Sequence, residues 1–223
     1  MDAFGNVPFA ESLTKPVLKT RAEMYSWIES ELLAVEPQLS QAKAKKSTDP
    51  GYYRADKAAV WMLLARLYLN AEVYTGTAQW AKAAEYAKKV MTSDYRLNTT
   101  ATGPWSAYQK LFMGDNGETS AAYEGVFRIG QDGVKTTSWA GTCFLMASTF
   151  DGNMHADVSG ARPHATNGTG QTWGGNRARK ELVEKFFPND DAPNVSCTQM
   201  PAAANDDRAI FDGIGRTIDN GEG

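Results

Sequence analysis

The side chains that most often carry chemistry are few in this chain, and their spacing fits no common metal motif. There are two histidines, His155 and His164, whereas a structural zinc site closes with four ligands. The segment that begins at Asp151 resembles a calcium-binding loop at its start. However, Ala156 stands where that loop needs glycine, and Arg162 stands where it needs a bidentate glutamate. We therefore expect no metal ion and no cofactor.

Nucleophilic and phosphate-binding motifs are also missing from the sequence. No Gly-x-Ser-x-Gly turn is present to position a serine nucleophile. The glycine-rich run at 168–176 lacks the lysine with which a phosphate-binding loop reaches its ligand. A pair of carboxylates for glycoside hydrolysis stays open as an alternative, because the chain has 26 acidic residues and only their separation in space decides. We predict that the chain is not an enzyme.

Aromatic side chains in polar loops are the chemical feature that remains. Of the six tryptophans, Trp139 and Trp173 lie in segments rich in Gly, Thr and Ser. An aromatic ring can stack on the C–H face of a sugar, with a gain of about 1 kcal/mol beyond the buried area. The alternative is that each ring fills the core below its loop. On the first interpretation, the sugar hydroxyls would bond to Asn153, His155, Arg162 and Asn176.

Composition and charge narrow the class of partner. The chain has 223 residues, 42% of them hydrophobic, with a net charge of -3 and a pI near 5.5. Nucleic acids and anionic membranes attract clustered positive charge, so we expect neither as the main partner. No run of ~18 apolar residues is present to form a transmembrane helix. The first residues also lack the charged start and apolar core of a signal peptide, so we expect any export signal outside this sequence.

The two cysteines, Cys143 and Cys197, are too far apart in sequence for a CxxC motif. Two cysteines could pair, but two small buried side chains are the favoured interpretation.

Hydrophobic periodicity predicts helices in the first half of the chain. Thr20 followed by Glu23 matches a capping box, and Pro37 ends the helix that it starts. A second helix is predicted from about 55 to 74, with Gly76 as its stop. A third is predicted from about 78 to 91, with Trp80 on its apolar face.

The second half has a different composition. The sequence predicts a short helix at 105–113, a strand at 122–129 and another helix at 179–187. The other residues of the second half are predicted to form loops. The predicted fold is mainly α with a loop-rich α+β portion, in which helical hairpins pack against an irregular region of loops and short strands. We place a tetratricopeptide-like helical part at 1–118 and a loop-rich ligand-binding part at 119–223.

One helical repeat is visible in the second and third helices. Trp61, Leu64, Ala65 and Tyr68 follow the spacing of the first helix of a tetratricopeptide repeat, with alanine in place of glycine. An ordinary helical hairpin is the alternative. A repeat of this kind would suit a scaffold that binds a protein or peptide, which is a second functional hypothesis.

Several segments together resemble the SusD/RagB family of Bacteroidetes outer-membrane glycan-uptake proteins. The segments occur in the family's order across nearly the whole chain. They are Asp2-Ala-Phe-Gly-Asn-Val-Pro8, Tyr25 to Leu32, Lys57 to Asn70, Trp80 to Ala87, Tyr108 to Phe112, Glu124 to Phe127, Trp173-Gly-Gly175, Leu182 to Phe186, and Asp206-Asp-Arg208.

The resemblance implies a function in glycan uptake. It implies a tetratricopeptide-like helical core and a loop-rich region that binds oligosaccharide without catalysis. It also implies a lipid anchor outside this chain, a location at the outer membrane, and a partner SusC-like, TonB-dependent barrel transporter. The site region that it implies is the loop around Trp139 together with residues 151–175.

Overall fold

The computed structural model describes residues 1–13, 15–103, 105–130, 134–136, 142–149, 173–176, 178–188, 192–209 and 211–214. Within these ranges it contains seven α-helices, short 3-10 turns and one two-stranded ribbon. The predicted mainly helical fold class is confirmed. The chain forms two compact units, Met1–Gly130 and Gln131–Gly223. The division into a helical part at 1–118 and a ligand-binding part at 119–223 stays a prediction.

A short antiparallel ribbon forms near the start of the chain, where the sequence analysis predicted no strand. Strands β1 (Val7–Phe9) and β2 (Val17–Lys19) pair with Phe9 opposite Val17. The rings of Phe9 and Trp27 pack in a T-shaped arrangement at a centroid distance of 4.6 Å. Strands of three residues are too short for an alternating pattern to reveal them.

Helix α1 (Arg21–Val35) begins at the predicted capping box. The Glu23 N–H donates to Thr20 Oγ1 at 3.3 Å, and the Thr20 N–H donates to Glu23 Oε2 at 2.7 Å. The bond from the Thr20 backbone is also the main cause that lowers the pKa of Glu23 below its ordinary value. A 3-10 turn at Glu36–Gln38 contains Pro37 and follows the helix directly.

The Thr20→Ala variant should lose about 1 kcal/mol of unfolding free energy, because it removes the side-chain half of the capping box. Chemical denaturation followed by circular dichroism would measure this loss. Thr100→Ala is a matched control, because Thr100 is exposed and caps no helix. Equal stability of the two variants would contradict the assigned role of Thr20.

The predicted second helix is divided into α2 (Lys57–Leu69) and α3 (Ala71–Thr75). The break falls at Asn70, whose ψ of 8° departs from helical geometry. Gly76 ends α3 in the left-handed region at φ 77°, which confirms the predicted stop. Hydrophobic periodicity did not reveal the break, because apolar residues continue on both sides of Asn70.

Helix α4 (Trp80–Met91) confirms the third predicted helix, but its buried face matches the predicted one only in part. Trp80 is 60% exposed, so its placement on the core face was wrong. Ala83 is buried, as expected of the predicted apolar face, and Tyr86 is buried although it was not predicted there. Tyr86 is one helical turn from Ala83, and its ring packs against that of Tyr68 at 5.6 Å.

The core of the first unit lies between α1, α2 and α4. Leu64 is fully buried in it, and the Tyr68 hydroxyl donates to Glu29 Oε1 at 2.8 Å. Burial, helped by that bond, raises the pKa of Tyr68 well above its ordinary value. Trp61 is half-buried and donates its indole N–H to Glu36 Oε1 at 2.7 Å. The buried cluster consists of Tyr25, Val60, Leu64, Leu67, Tyr68, Ala71, Ala83 and Tyr86.

A buried carboxylate holds the segment that contains Lys43 against the start of α2. Asp56 caps the helix by accepting the Ala58 N–H at 2.9 Å. Its other oxygen accepts the Lys43 N–H at 3.0 Å and the Tyr95 hydroxyl at 2.8 Å. Because a buried carboxylate needs such partners, these bonds fix the course of an otherwise polar loop.

The strand predicted at 122–129 is wrong. Residues Ser120–Tyr123 form a 3-10 turn, and turns follow it. Two N–H groups there bond locally: the Ala122 N–H donates to Thr119 O, and the Glu124 N–H donates to Ala121 O. The Tyr123 carbonyl accepts a bond from the Arg96 N–H, but no ladder of strand bonds forms. The predicted helix at 105–113 is likewise reduced to a 3-10 turn at Gln109–Phe112.

The second unit contains three short helices in its described residues. They are α5 (Thr142–Thr149), α6 (Lys180–Val183) and α7 (Met200–Ala204). Helix α6 is shorter than the predicted 179–187, because turns replace the helix after Val183. Helix α7 lies in a segment predicted as loop, and its Met200 is fully buried. Cys197 is also buried, as the sequence analysis favoured.

Candidate ligand-binding site

The structure describes two of the six predicted ligand-binding residues, Trp173 and Asn176. The other four lie outside the described residues, and their assignment stays a prediction. They are Trp139, Asn153, His155 and Arg162.

Three hydrogen bonds join the segment 173–176 to the C-terminal end of α5. The Trp173 N–H donates to Ala147 O at 2.9 Å, and the Asn176 N–H donates to Ser148 O at 3.0 Å. The Asn176 amide also donates from Nδ2 to Ser148 Oγ at 2.7 Å. The last carbonyl groups of a helix have no partner within it, so a crossing segment can satisfy them. Helix α5 thereby fixes the backbone that carries both predicted residues.

Two glycines between Trp173 and Asn176 allow the backbone to bond to α5 at both of these residues. Gly174 has a φ of 58° and Gly175 a φ of 152°. Residues with a Cβ atom rarely adopt these values, whereas glycine adopts them without steric cost. The Gly174–Gly175 pair therefore lets Trp173 and Asn176 both bond to the end of α5.

The Trp173 side chain is only partly covered by the protein. Its ring lies 6.1 Å from that of Phe144, with the two planes inclined at 55°. Trp173 is 42% exposed and Phe144 is 50% exposed. A supported ring with a substantial exposed area is suited to stacking on the C–H face of a sugar.

Sequence reasoning identified Trp173 from its type and its polar setting, but missed the residues that support it. Ala147 and Ser148 lie three and four residues after Phe144 along α5, which places both on the face of the helix that carries Phe144. That spacing was the available signal. It could not show that residues 173–176 would cross this face.

A metal site would need several ligating side chains close together in the part of the chain that the structure describes. No group of three or more His, Cys, Asp or Glu side chains is arranged there to hold a metal ion.

Among the same residues, no helix has both the length and the apolar character needed to cross a membrane.

The fold and the site together define a mainly helical protein with a tryptophan ring supported at a polar loop. The chain belongs to the SusD-like family. It is similar to the starch-binding protein SusD of Bacteroides thetaiotaomicron, with 36% identity over 246 aligned residues. The alignment covers 96% of this chain and 41% of that relative, so the chain spans about two fifths of the relative's length. A scan against protein-family models finds no match.

Proposed function

We propose that this chain binds an oligosaccharide without catalysing its cleavage. The observation that carries the proposal is the similarity along 96% of the chain to a relative named as starch-binding. The exposed ring of Trp173 supports it, because the backbone bond to Ala147 holds the ring at the surface. Fragments of starch are therefore the first ligands to test.

In the proposed site, Trp173 stacks on one sugar ring. Asn176 uses Nδ2 to bond to Ser148, which leaves Oδ1 to accept a hydrogen bond from a sugar hydroxyl. We further propose that Trp139 provides a second stacking surface, and that Asn153, His155 and Arg162 bond to hydroxyls at the rim. Stacking supplies most of the contact area, and the polar groups select the sugar.

The proposed cellular role follows from the family. The full-length protein would be a lipoprotein on the outer-membrane surface, held by an anchor outside this chain. It would deliver oligosaccharide to a SusC-like, TonB-dependent transporter.

A protein-binding scaffold is the second candidate, and one observation favours it. Helix α2 exposes Met62, Leu63 and Leu69 to between 48% and 61%. Exposed apolar groups that share one helix can mark an interaction surface. This function predicts no binding of sugars.

Calorimetric titration of the chain with maltoheptaose and a panel of plant, host and microbial glycans would test the proposal. We expect saturable binding of one glycan class, with no release of reducing ends in a parallel assay. Release of reducing ends would show a hydrolase instead. Failure of every glycan to bind would contradict the proposal and leave the scaffold as the function to test.

A further inference from the structure

A polar cleft of about 340 Å³ lies in the first unit. This volume is at the low end of the range for small-molecule sites, roughly 300–1,000 Å³. Five of its six lining residues are polar, which disfavours an apolar ligand. The lining residues are Asp2, Arg21, Arg66, Asn70, Val73 and Tyr74.

One of the two guanidinium groups in the cleft is already neutralised. Arg66 Nη2 lies 3.1 Å from Asp2 Oδ2, and the Tyr74 hydroxyl donates to Asp2 Oδ1. The bond from Tyr74, assisted by the charge of Arg66, lowers the pKa of Asp2 below its ordinary value. Asp2 is therefore ionised at neutral pH and balances the charge of Arg66.

The second guanidinium, that of Arg21, forms no ion pair with any residue that the structure describes. Its Nη1 makes one long bond, of 3.5 Å, to Val73 O. The group lies against Gly5, where an added Cβ would be 3.2 Å from Nη2. The Arg21 backbone N–H donates to Asn6 Oδ1 at 3.1 Å. Arg21 is thus held in place while its charge remains uncompensated.

We propose that this cleft binds the carboxylate of a small acidic sugar through Arg21. The planar fork of a guanidinium matches a carboxylate, and a single negative charge balances the excess of one positive charge. Asn70 and Tyr74 line the same cleft. Their donors already bond to Arg66 O and Asp2 Oδ1, so they would accept hydrogen bonds from the hydroxyls of the ligand. The inference does not rest on the proposed function, because none of the proposed glycan-binding residues lines this cleft.

Titration with D-galacturonate and, separately, with neutral D-galactose would test the site, followed by two-dimensional NMR or calorimetry. We expect galacturonate to bind with millimolar affinity, because the charged groups are exposed to water, and we expect galactose not to bind. Arg21→Gln should weaken galacturonate binding by about tenfold or more. Arg66→Gln should weaken it too, because it removes the excess positive charge. Arg54→Gln, at an exposed arginine outside the cleft, is the matched control and should bind normally.

Thermal melting of each variant shows whether it is folded before its affinity is compared. Three results would overturn the assignment: equal binding of galactose and galacturonate, unchanged binding by folded Arg21→Gln, or tighter binding of inorganic phosphate than of galacturonate. A loss of galacturonate binding in Trp173→Ala would also overturn it, because the ligand would then occupy the proposed glycan site. Binding of galacturonate when no oligosaccharide of the glycan panel binds would instead support this cleft and contradict the proposed function.

Discussion

Trp173→Ala should weaken oligosaccharide binding by about tenfold or more without unfolding the chain. Removal of the ring eliminates a stacking contact that is worth on the order of 1 kcal/mol beyond the buried area itself. The fold should persist, because the bond from residue 173 to Ala147 O comes from the backbone N–H, which alanine retains. Calorimetric titration with the glycan that the wild-type chain binds would measure the change.

Trp80→Ala is the matched control for this prediction. Trp80 is also a tryptophan and is more exposed than Trp173, at 60% against 42%. It lies on α4 and is not among the proposed ligand-binding residues. We expect this variant to bind as the wild type does. Equal affinities of Trp173→Ala and wild type would contradict the proposed site, and unfolding of Trp173→Ala would show that the ring stabilises the fold instead.

Leu64→Ala should lower the unfolding free energy of the first unit by about 3 kcal/mol. Leu64 has no exposed surface and lies in the cluster between α1, α2 and α4. Truncation to alanine removes buried methyl groups and leaves a cavity that close-packed neighbours fill only in part. Urea denaturation followed by circular dichroism would measure the difference.

The neighbouring position supplies a control of the same residue type. Leu63 precedes Leu64 on α2 and is 53% exposed, so Leu63→Ala should cost only about 0.5 kcal/mol. If Leu64→Ala does not fold, Leu64→Val should still fold with a loss of about 1 kcal/mol. Similar losses at positions 63 and 64 would contradict the described packing of α2.

Local signals in the sequence predicted the helical part well. The capping box at Thr20 and the left-handed glycine at Gly76 act through neighbouring backbone groups, so a few residues suffice to reveal them. Long-range packing is harder to predict from the sequence. It places Tyr86 in the core and leaves Trp80 in solvent, although both residues are aromatic and lie on α4.

The wrong strand at 122–129 has a related cause. Tyr123, Val126 and Phe127 favour extended backbone, but a strand also needs a partner to complete its hydrogen bonds. The structure satisfies the Ala122 and Glu124 N–H groups through local turns instead. Intrinsic preference therefore did not decide the conformation here.

The candidate site was predictable only in part. The type of Trp173 and the polarity of its loop indicated a binding role, and both are local properties. Its support by Phe144 and the bond of Asn176 to Ser148 join segments that are distant in sequence. Such contacts depend on the course of the chain between them, which residue type and periodicity do not specify.

The most direct test of oligosaccharide binding at Trp173 is a titration followed through the indole N–H signals of the six tryptophans by NMR. The signals would be assigned by single substitutions, and maltoheptaose would be added stepwise, followed by the other glycans of the panel. We predict that the Trp173 signal shifts in a saturable manner, while those of Trp27, Trp61 and Trp80 stay in place. Saturable binding that leaves the Trp173 signal unchanged would contradict the assigned site, and the absence of binding by any glycan would contradict the function.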